Sequence, residues 1–170
     1  MPSYFANLFN SMRITRWGEY GILCSLYLAR RYGSEPIGAS EIAEAHLLPL
    51  QYAQQILHRL RKGGIINSTR GPHGGFTLSK DPSLINLKEI LYAAEGDTFE
   101  VICESDPVYP HECSFKVDCG LKFVWRDLKG AVDTLLESRT LAQVLALVPD
   151  TGAPLQEVLV PGPGAHSTGN

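Results

Sequence analysis

The chain has 170 residues, of which 44% are hydrophobic and 19% charged, typical of one globular domain that buries a core without disulfides. No apolar run is long enough to span a membrane, and the first twelve residues lack the basic start and apolar stretch of a signal peptide. We therefore expect a cytoplasmic protein in a reducing compartment, where clustered cysteines more often bind metal or do redox work than form disulfides.

The net charge of −3 hides an asymmetry between the two halves of the chain. Residues 1–80 contain nine Arg and Lys against four Asp and Glu, whereas residues 81–170 contain six against fourteen. A basic half suggests a polyanion partner, because phosphate neutralisation drives non-specific binding to nucleic acids. Many solvated surfaces are equally basic, so this indication needs support from the predicted elements.

Hydrophobic periodicity and capping residues predict three helices in the first part of the chain. The first follows Thr15, which can act as its N-cap, and runs to about Tyr32. The second spans roughly Ala39 to Ala45. The third has Pro49 in its first turn, where a missing N–H costs nothing, and it ends at Gly63.

Two short β-like runs, residues 65–70 and 76–79, flank the glycine-rich tip at residues 71–75 and predict a hairpin. Asn86 is the expected N-cap of a further helix that ends near Glu95.

A long helix is predicted from Leu121 to Glu137 after a polar loop, and Thr140 is expected to cap a final short helix to Val148. From residue 149 onward the chain is rich in Pro, Gly, Ser and Thr, a composition typical of disorder.

Helix, short helix, turn, helix and hairpin is the order of a winged helix-turn-helix, so the predicted fold is mainly α with a small β-hairpin. A polar helix face or a glycine-rich turn, taken singly, is usually just solvated. Together with the local positive charge, these elements predict DNA binding through the third helix and the hairpin, or wing. The predicted DNA contacts are Gln51, Tyr52, Gln55, Arg59, Lys62, Arg70 and His73.

Three cysteines, Cys103, Cys113 and Cys119, lie in the polar loop between two predicted helices, whereas Cys24 is interpreted as a buried small hydrophobic residue. Thiolates favour zinc, copper(I) or iron–sulfur clusters. The gaps of nine and five residues are wider than in most zinc sites and are consistent with a loop around a larger cluster. Spacing alone therefore leaves the ligand open.

The chain resembles the Rrf-two family of bacterial winged-helix regulators over about residues 12–148. The resemblance rests on residues 12–20, Tyr52, 60–64, 70–76 and 125–128. It implies a homodimer formed by the long C-terminal helix, bound to a pseudo-palindromic operator in double-stranded DNA, and no membrane partner. The expected units are an extension at 1–11, a DNA-binding domain at 12–96, a cysteine loop at 97–120, a dimerisation region at 121–148 and a tail at 149–170.

Within that family the IscR and NsrR types hold an iron–sulfur cluster through three cysteines between the short helix and the dimer helix. The resemblance therefore implies a 2Fe–2S or 4Fe–4S cluster on the three loop cysteines, although the first gap here is longer. Lys122 stands where the IscR type has a histidine and is a poor ligand. Glu19 matches the position of an aspartate ligand in the NsrR type and is the expected fourth ligand, with His111 as the other candidate.

Two other classes of function remain open at this point. A cluster-free regulator of the same family could use the cysteines as thiol switches, with Cys103 paired to Cys113, or as zinc ligands. A winged helix could also serve as a protein-interaction module. Enzymatic function is not expected, because the chain lacks G-x-S-x-G, H-E-x-x-H and phosphate-cradling motifs.

Overall fold

The computed structural model describes residues 14–96 and 120–147. These residues confirm the predicted fold class, a mainly α winged helix-turn-helix with one antiparallel hairpin followed by a long helix. The loop cysteines, His111, the N-terminal extension and the C-terminal tail lie outside the described residues. The elements are α1 (Arg16–Arg30), α2 (Ala39–Ala45), α3 (Leu50–Lys62), β1 (Ile66–Thr69), β2 (Gly75–Leu78), a 3-10 turn (Pro82–Leu84), α4 (Leu87–Glu95), α5 (Gly120–Glu137) and α6 (Leu141–Leu147).

Local capping chemistry sets the helix starts where the sequence predicted them. The Thr15 hydroxyl accepts a hydrogen bond from the Trp17 amide at 3.2 Å and begins α1. Asn86 and Glu89 form a reciprocal capping box at the start of α4. Pro49 differs slightly from its prediction, because it occupies the N-cap of α3 and precedes the first turn.

Helix α1 is the centre of the core, with Leu23 and Leu26 buried, and contacts α3, α4, α6 and β2. Cys24 is fully buried there, and desolvation raises the pKa of its thiol to about 12, which confirms its interpretation as a small core residue. Leu50 begins the apolar face of α3 but is not part of the buried core. This residue is 42% exposed because it lies at the first position of the helix, at the edge of the core.

Helix α4 packs closely against α1 and against the end of α3, at positions where these neighbours carry glycine. A Cβ atom on Gly21 of α1 would lie 2.7 Å from the Cβ atom of Ala94, and one on Gly63 would lie 2.4 Å from that of Ala93. The last turns of α4 are therefore wedged between α1 and the C-terminal end of α3.

The wing pairs through backbone hydrogen bonds with the segment before α2. Residues 66–69 pair with residues 75–78 in antiparallel register, and Ile37 exchanges backbone hydrogen bonds of 2.8 and 3.0 Å with Phe76. A Cβ atom on Gly75 would lie 2.5 Å from the Ile37 carbonyl oxygen, so only glycine permits this close approach. The hairpin thus has a fixed base beside the helix-turn-helix.

Helix α5 has no buried residue among those described, and its C-terminal end is attached to the domain. Lys88 of α4 pairs with Asp133 at 3.2 Å and Glu137 at 2.7 Å, and the Leu141 amide donates to the Ile85 carbonyl. No helix in the described ranges combines the length and hydrophobicity that a membrane crossing requires.

Candidate nucleic-acid interface

Helix α3 has one buried face and one polar face. Ala53, Ile56, Leu57 and Leu60 are buried against α1, α2 and α4. Outside that face the exposed polar side chains are Gln51, Gln54, Gln55, His58, Arg59, Arg61 and Lys62, and five of them, Gln51, Gln54, Gln55, His58 and Lys62, lie opposite the buried face. The spacing of three, four and seven residues aligns these side chains along one stripe of the helix.

The positive charge of α3 is concentrated at its C-terminal end. The helix contains no Asp or Glu, and its last turn carries Arg59, Arg61 and Lys62. Within the described ranges, the side chains of Gln51, Gln55 and Lys62 have no hydrogen bond or ion pair. These side chains are free to bind a partner. Amide groups such as those of the two glutamines can hydrogen-bond to base edges, and a cation such as Lys62 can bind a neighbouring phosphate.

The wing tip presents two further predicted residues beside a tight turn. Arg70 and His73 are both exposed on the turn that joins β1 to β2. Gly71 has a φ of 120°, and the Gly74 amide donates to the Gly71 carbonyl at 2.9 Å. The turn therefore holds both side chains outward on a short backbone loop.

Two predicted contacts, Tyr52 and Arg59, have partners inside the domain. The Tyr52 ring lies 4.6 Å from the Trp17 ring and 5.8 Å from the Tyr20 ring, between centroids. The Arg59 guanidinium donates to the Ala94 carbonyl at 2.8 Å and lies 4.3 Å from the Trp17 ring centroid. Their contact with DNA stays a prediction, and the structure gives both residues a second role.

The first turn of α1 is joined to the end of α4. The Thr15 amide donates to Glu95 Oε2 at 2.9 Å, and the Thr15 hydroxyl bonds the same oxygen. The other oxygen, Oε1, is buried beside Gly18 and has no hydrogen-bond partner among the described residues. Glu19 lies in the same turn of α1 with its carboxylate exposed and without a partner in the described ranges.

Most of the proposed metal ligands lie outside the part of the chain that the structure describes. Only Glu19 among them belongs to the described residues, since Cys103, Cys113, Cys119 and His111 lie outside. Within residues 14–96 and 120–147, no three side chains of His, Cys, Asp or Glu could hold a metal ion together.

The turn between α2 and α3 carries two features that sequence patterns did not reveal. His46 is 1% exposed, and its ring lies 5.5 Å from the Tyr27 ring between centroids. Burial lowers the pKa of this imidazole. Leu47 has a φ of 51°, a left-handed conformation that is rare for a side chain with a Cβ atom, and it is 83% exposed.

The junction between α1, α3 and α4 was also missed, although the sequence contains a signal for it. Gly18 and Gly21 are three residues apart, so they lie on one face of α1 and open a groove for α4. The bonds made by Arg59 and Glu95 join residues 35 and 80 positions apart, a range at which helix periodicity carries no information.

Comparisons with known proteins agree with this geometry. The chain matches the Rrf2 family, described as an iron-dependent transcriptional regulator, over residues 14–147. It is 31% identical over 134 residues to the HTH-type transcriptional regulator IscR of Photorhabdus laumondii, with 79% of each protein covered.

Solved structures give the same result. CymR, the global cysteine regulator of B. subtilis, matches with a TM-score of 0.68 and 26% identity, covering 82% of this chain and 100% of that one. IscR of T. potens matches with a TM-score of 0.63 and 29% identity, covering 80% of this chain and 88% of that one. These relatives are transcriptional regulators and not enzymes, and this chain belongs to the Rrf2 family of winged helix-turn-helix transcriptional regulators.

Proposed function

We propose that this regulator binds an operator through α3 and the wing, and that an iron–sulfur cluster controls its affinity for that operator. The polar stripe on α3 supports the first part, because it carries the amide and cationic groups that recognise base edges and phosphates. Gln51 and Gln55 are proposed to contact bases, Lys62 a phosphate, and Arg70 and His73 the neighbouring groove.

The donor set suits an iron–sulfur cluster. Cys103, Cys113 and Cys119 would supply three soft thiolates, and Glu19 would supply one exposed carboxylate without a competing partner in the described ranges. His111 is the other candidate for the fourth position. A bound cluster would supply one-electron redox and ligand-exchange chemistry.

One observation carries the link between this site and DNA binding. The cysteine segment begins directly after α4, whose last residue, Glu95, bonds Thr15 at the start of α1. Glu19 lies in that same first turn of α1. An ordered cysteine segment would therefore act on the end of α4 and on the helix that packs against α3.

We further propose that α5 forms a homodimer. Its exposed apolar residues recur at spacings of three, four and seven, as in a helix face that packs on another helix. Two winged units would then face a pseudo-palindromic operator, in the cytoplasm. The residues of this face are Leu121, Val124, Trp125, Leu128 and Leu135.

The cluster is tested by purifying the protein without oxygen. We expect a brown protein with visible absorbance, and with iron and sulfide in stoichiometric amounts. Replacement of Cys113 by Ser should abolish the absorbance, whereas replacement of the buried Cys24 by Ala should preserve it. A colourless protein that carries zinc, or no metal after anaerobic reconstitution, would overturn the proposal.

A second candidate is a cluster-free thiol-switch or zinc-binding regulator of the same family. It is favoured by the similarity to CymR, whose name refers to cysteine and not to iron. Ser replacements at Cys103, Cys113 and Cys119 separate the two, with operator affinity measured with and without iron and with and without oxidant. Affinity that responds to oxidant but never to iron would select the thiol switch.

A further inference from the structure

The side chain of Arg59 differs from the glutamines and Lys62 of α3 because it contacts other helices of the same domain. Its Nη1 atom donates a hydrogen bond of 2.8 Å to the Ala94 carbonyl oxygen, 35 positions further along the chain. Its guanidinium carbon lies 4.3 Å from the centroid of the Trp17 ring. One side chain on α3 thus contacts both α4 and α1.

The acceptor is a carbonyl that needs an external donor. Ala94 belongs to the last turn of α4, where helix carbonyls have no intrahelical partner. Arg59 supplies that donor, and its positive charge is favoured by the helix dipole at a C-terminus. The bond therefore stabilises the end of α4 as well as the position of α3.

Trp17 fixes α3 at a second point. Its ring contacts Tyr52 at 4.6 Å between centroids, and Tyr52 and Arg59 are seven residues apart on one face of α3. Close packing of Gly63 against Ala93 leaves no space for α3 to slide along α4. The orientation of the polar stripe relative to the domain is thus set by these contacts.

We propose that Arg59 is a positioning residue that orients α3 through Ala94 and Trp17, and that it does not bind a DNA phosphate. This inference rests on the proposed function of α3 as the DNA-contacting helix. Arg59 and Lys62 of α3 then have different roles. Lys62 binds DNA directly, whereas Arg59 holds α3 in the orientation that DNA binding requires. This role of Arg59 also makes the end of α4, where the cysteine segment begins, a point that controls α3.

The salt dependence of DNA affinity distinguishes the two roles. A lost phosphate contact reduces the slope of log affinity against log salt by about 0.9, or about 1.8 for a dimer. We expect Lys62→Ala to reduce the slope by this amount. Arg59→Ala should lower affinity by about 10-fold, the equivalent of one charge-assisted hydrogen bond, and leave the slope unchanged.

A conservative variant guards against a folding defect. Lysine keeps the charge that a phosphate needs, but it cannot reproduce the planar stacking on Trp17 together with the bond to Ala94. Arg59→Lys should therefore also lower affinity with an unchanged salt slope, while its thermal unfolding confirms a folded protein. Wild-type affinity in Arg59→Lys would overturn the proposal, as would a reduced slope in Arg59→Ala.

A double-mutant cycle supplies an independent readout. Trp17→Leu removes the platform beneath Arg59, so Arg59→Ala should lower affinity by a smaller factor in the Trp17→Leu protein than in the wild type, with the bond to Ala94 accounting for the remaining effect. Effects that multiply would mean that Arg59 acts without Trp17 and would overturn the proposal.

The DNA is a duplex selected from a random pool by the wild-type protein. Failure of the wild type to select any duplex would count against the proposed function itself. A normal wild type with a reduced slope in Arg59→Ala would count against the Arg59 proposal alone.

Discussion

The winged-helix unit, residues 14–96, buries a core of large apolar residues, whereas the long helix α5 exposes most of its own. In the unit, α1 is buried by α3, α4 and β2, and also by α6, which follows α5 in the chain and packs back on the unit. In α5 no described residue is buried, and Trp125 and Leu128 remain 38% and 39% exposed. The described elements of one chain therefore bury the core of the unit, whereas the apolar face of α5 is exposed among the described residues, and we propose that a second copy covers it.

The strongest test of this contrast is a charge on the exposed face of α5. Leu128→Glu should convert the dimer to a monomer in sedimentation and lower operator affinity by about 100-fold, because the second half-site no longer binds as part of the same particle. Thr134→Glu adds the same charge at an exposed polar position of the helix and should change neither property. A Leu128→Glu dimer with wild-type affinity would contradict the proposed role of α5.

The same substitution should have opposite effects in the two regions. Gly21→Ala places a methyl group 2.7 Å from the Ala94 Cβ atom and should lower the free energy of unfolding by about 1–3 kcal/mol. Gly130→Ala meets no atom within 4 Å in the described structure and should raise it by up to about 1 kcal/mol through helix propensity. Urea denaturation measures the change in the free energy of unfolding for each variant. Changes of the same sign in the two variants would show that the two regions do not differ in packing.

The buried imidazole of His46 predicts that the stability of the unit depends on pH. Burial lowers the pKa of His46 below its ordinary value of 6.5, so the unfolded chain binds this proton more readily than the folded protein. The stability contribution is present above the unfolded pKa and is lost as pH falls, with a slope of up to about 1.4 kcal/mol per pH unit.

His46→Phe keeps a ring beside Tyr27, which lies 5.5 Å away, and should remove this part of the slope. The urea midpoints of both proteins, compared between about pH 7 and about pH 5, check the prediction. Parallel pH profiles would show that His46 does not contribute.

The smallest expected effect concerns Leu47. Its φ of 51° strains any residue with a Cβ atom, so Leu47→Gly should raise the free energy of unfolding by about 0.5–1 kcal/mol after the entropy of glycine is included. Leu47→Ala retains the Cβ atom and should give no comparable gain. If Leu47→Ala also raised the free energy of unfolding by this amount, the destabilisation would come from the exposed leucine side chain and not from the backbone conformation.

The helix starts could be predicted from the sequence because they are local. Thr15 and Asn86 accept hydrogen bonds from amides two and three residues away, and such bonds follow from residue type and spacing. The polar stripe of α3 was also predictable, since its period follows from helix geometry.

The direction of the Arg59 side chain could not be predicted in this way. Periodicity places its Cα atom near the polar face, but an arginine is long enough to reach back across the helix to a distant acceptor. The bond between Thr15 and Glu95 likewise depends on how α4 packs on α1, which no local pattern records. The loop cysteines lie outside the described residues, so their ligand remains a proposal that rests on residue type and resemblance.

The central claim is that a cluster held by the loop cysteines controls binding to DNA. Operator affinity of the anaerobic, cluster-loaded wild type should be compared with that of the same protein after iron removal. We predict a difference of about 5- to 150-fold, typical of coupling between two sites, and its loss in Cys113→Ser. Equal affinity in the loaded and iron-free proteins, with the cluster present in the first, would contradict the account.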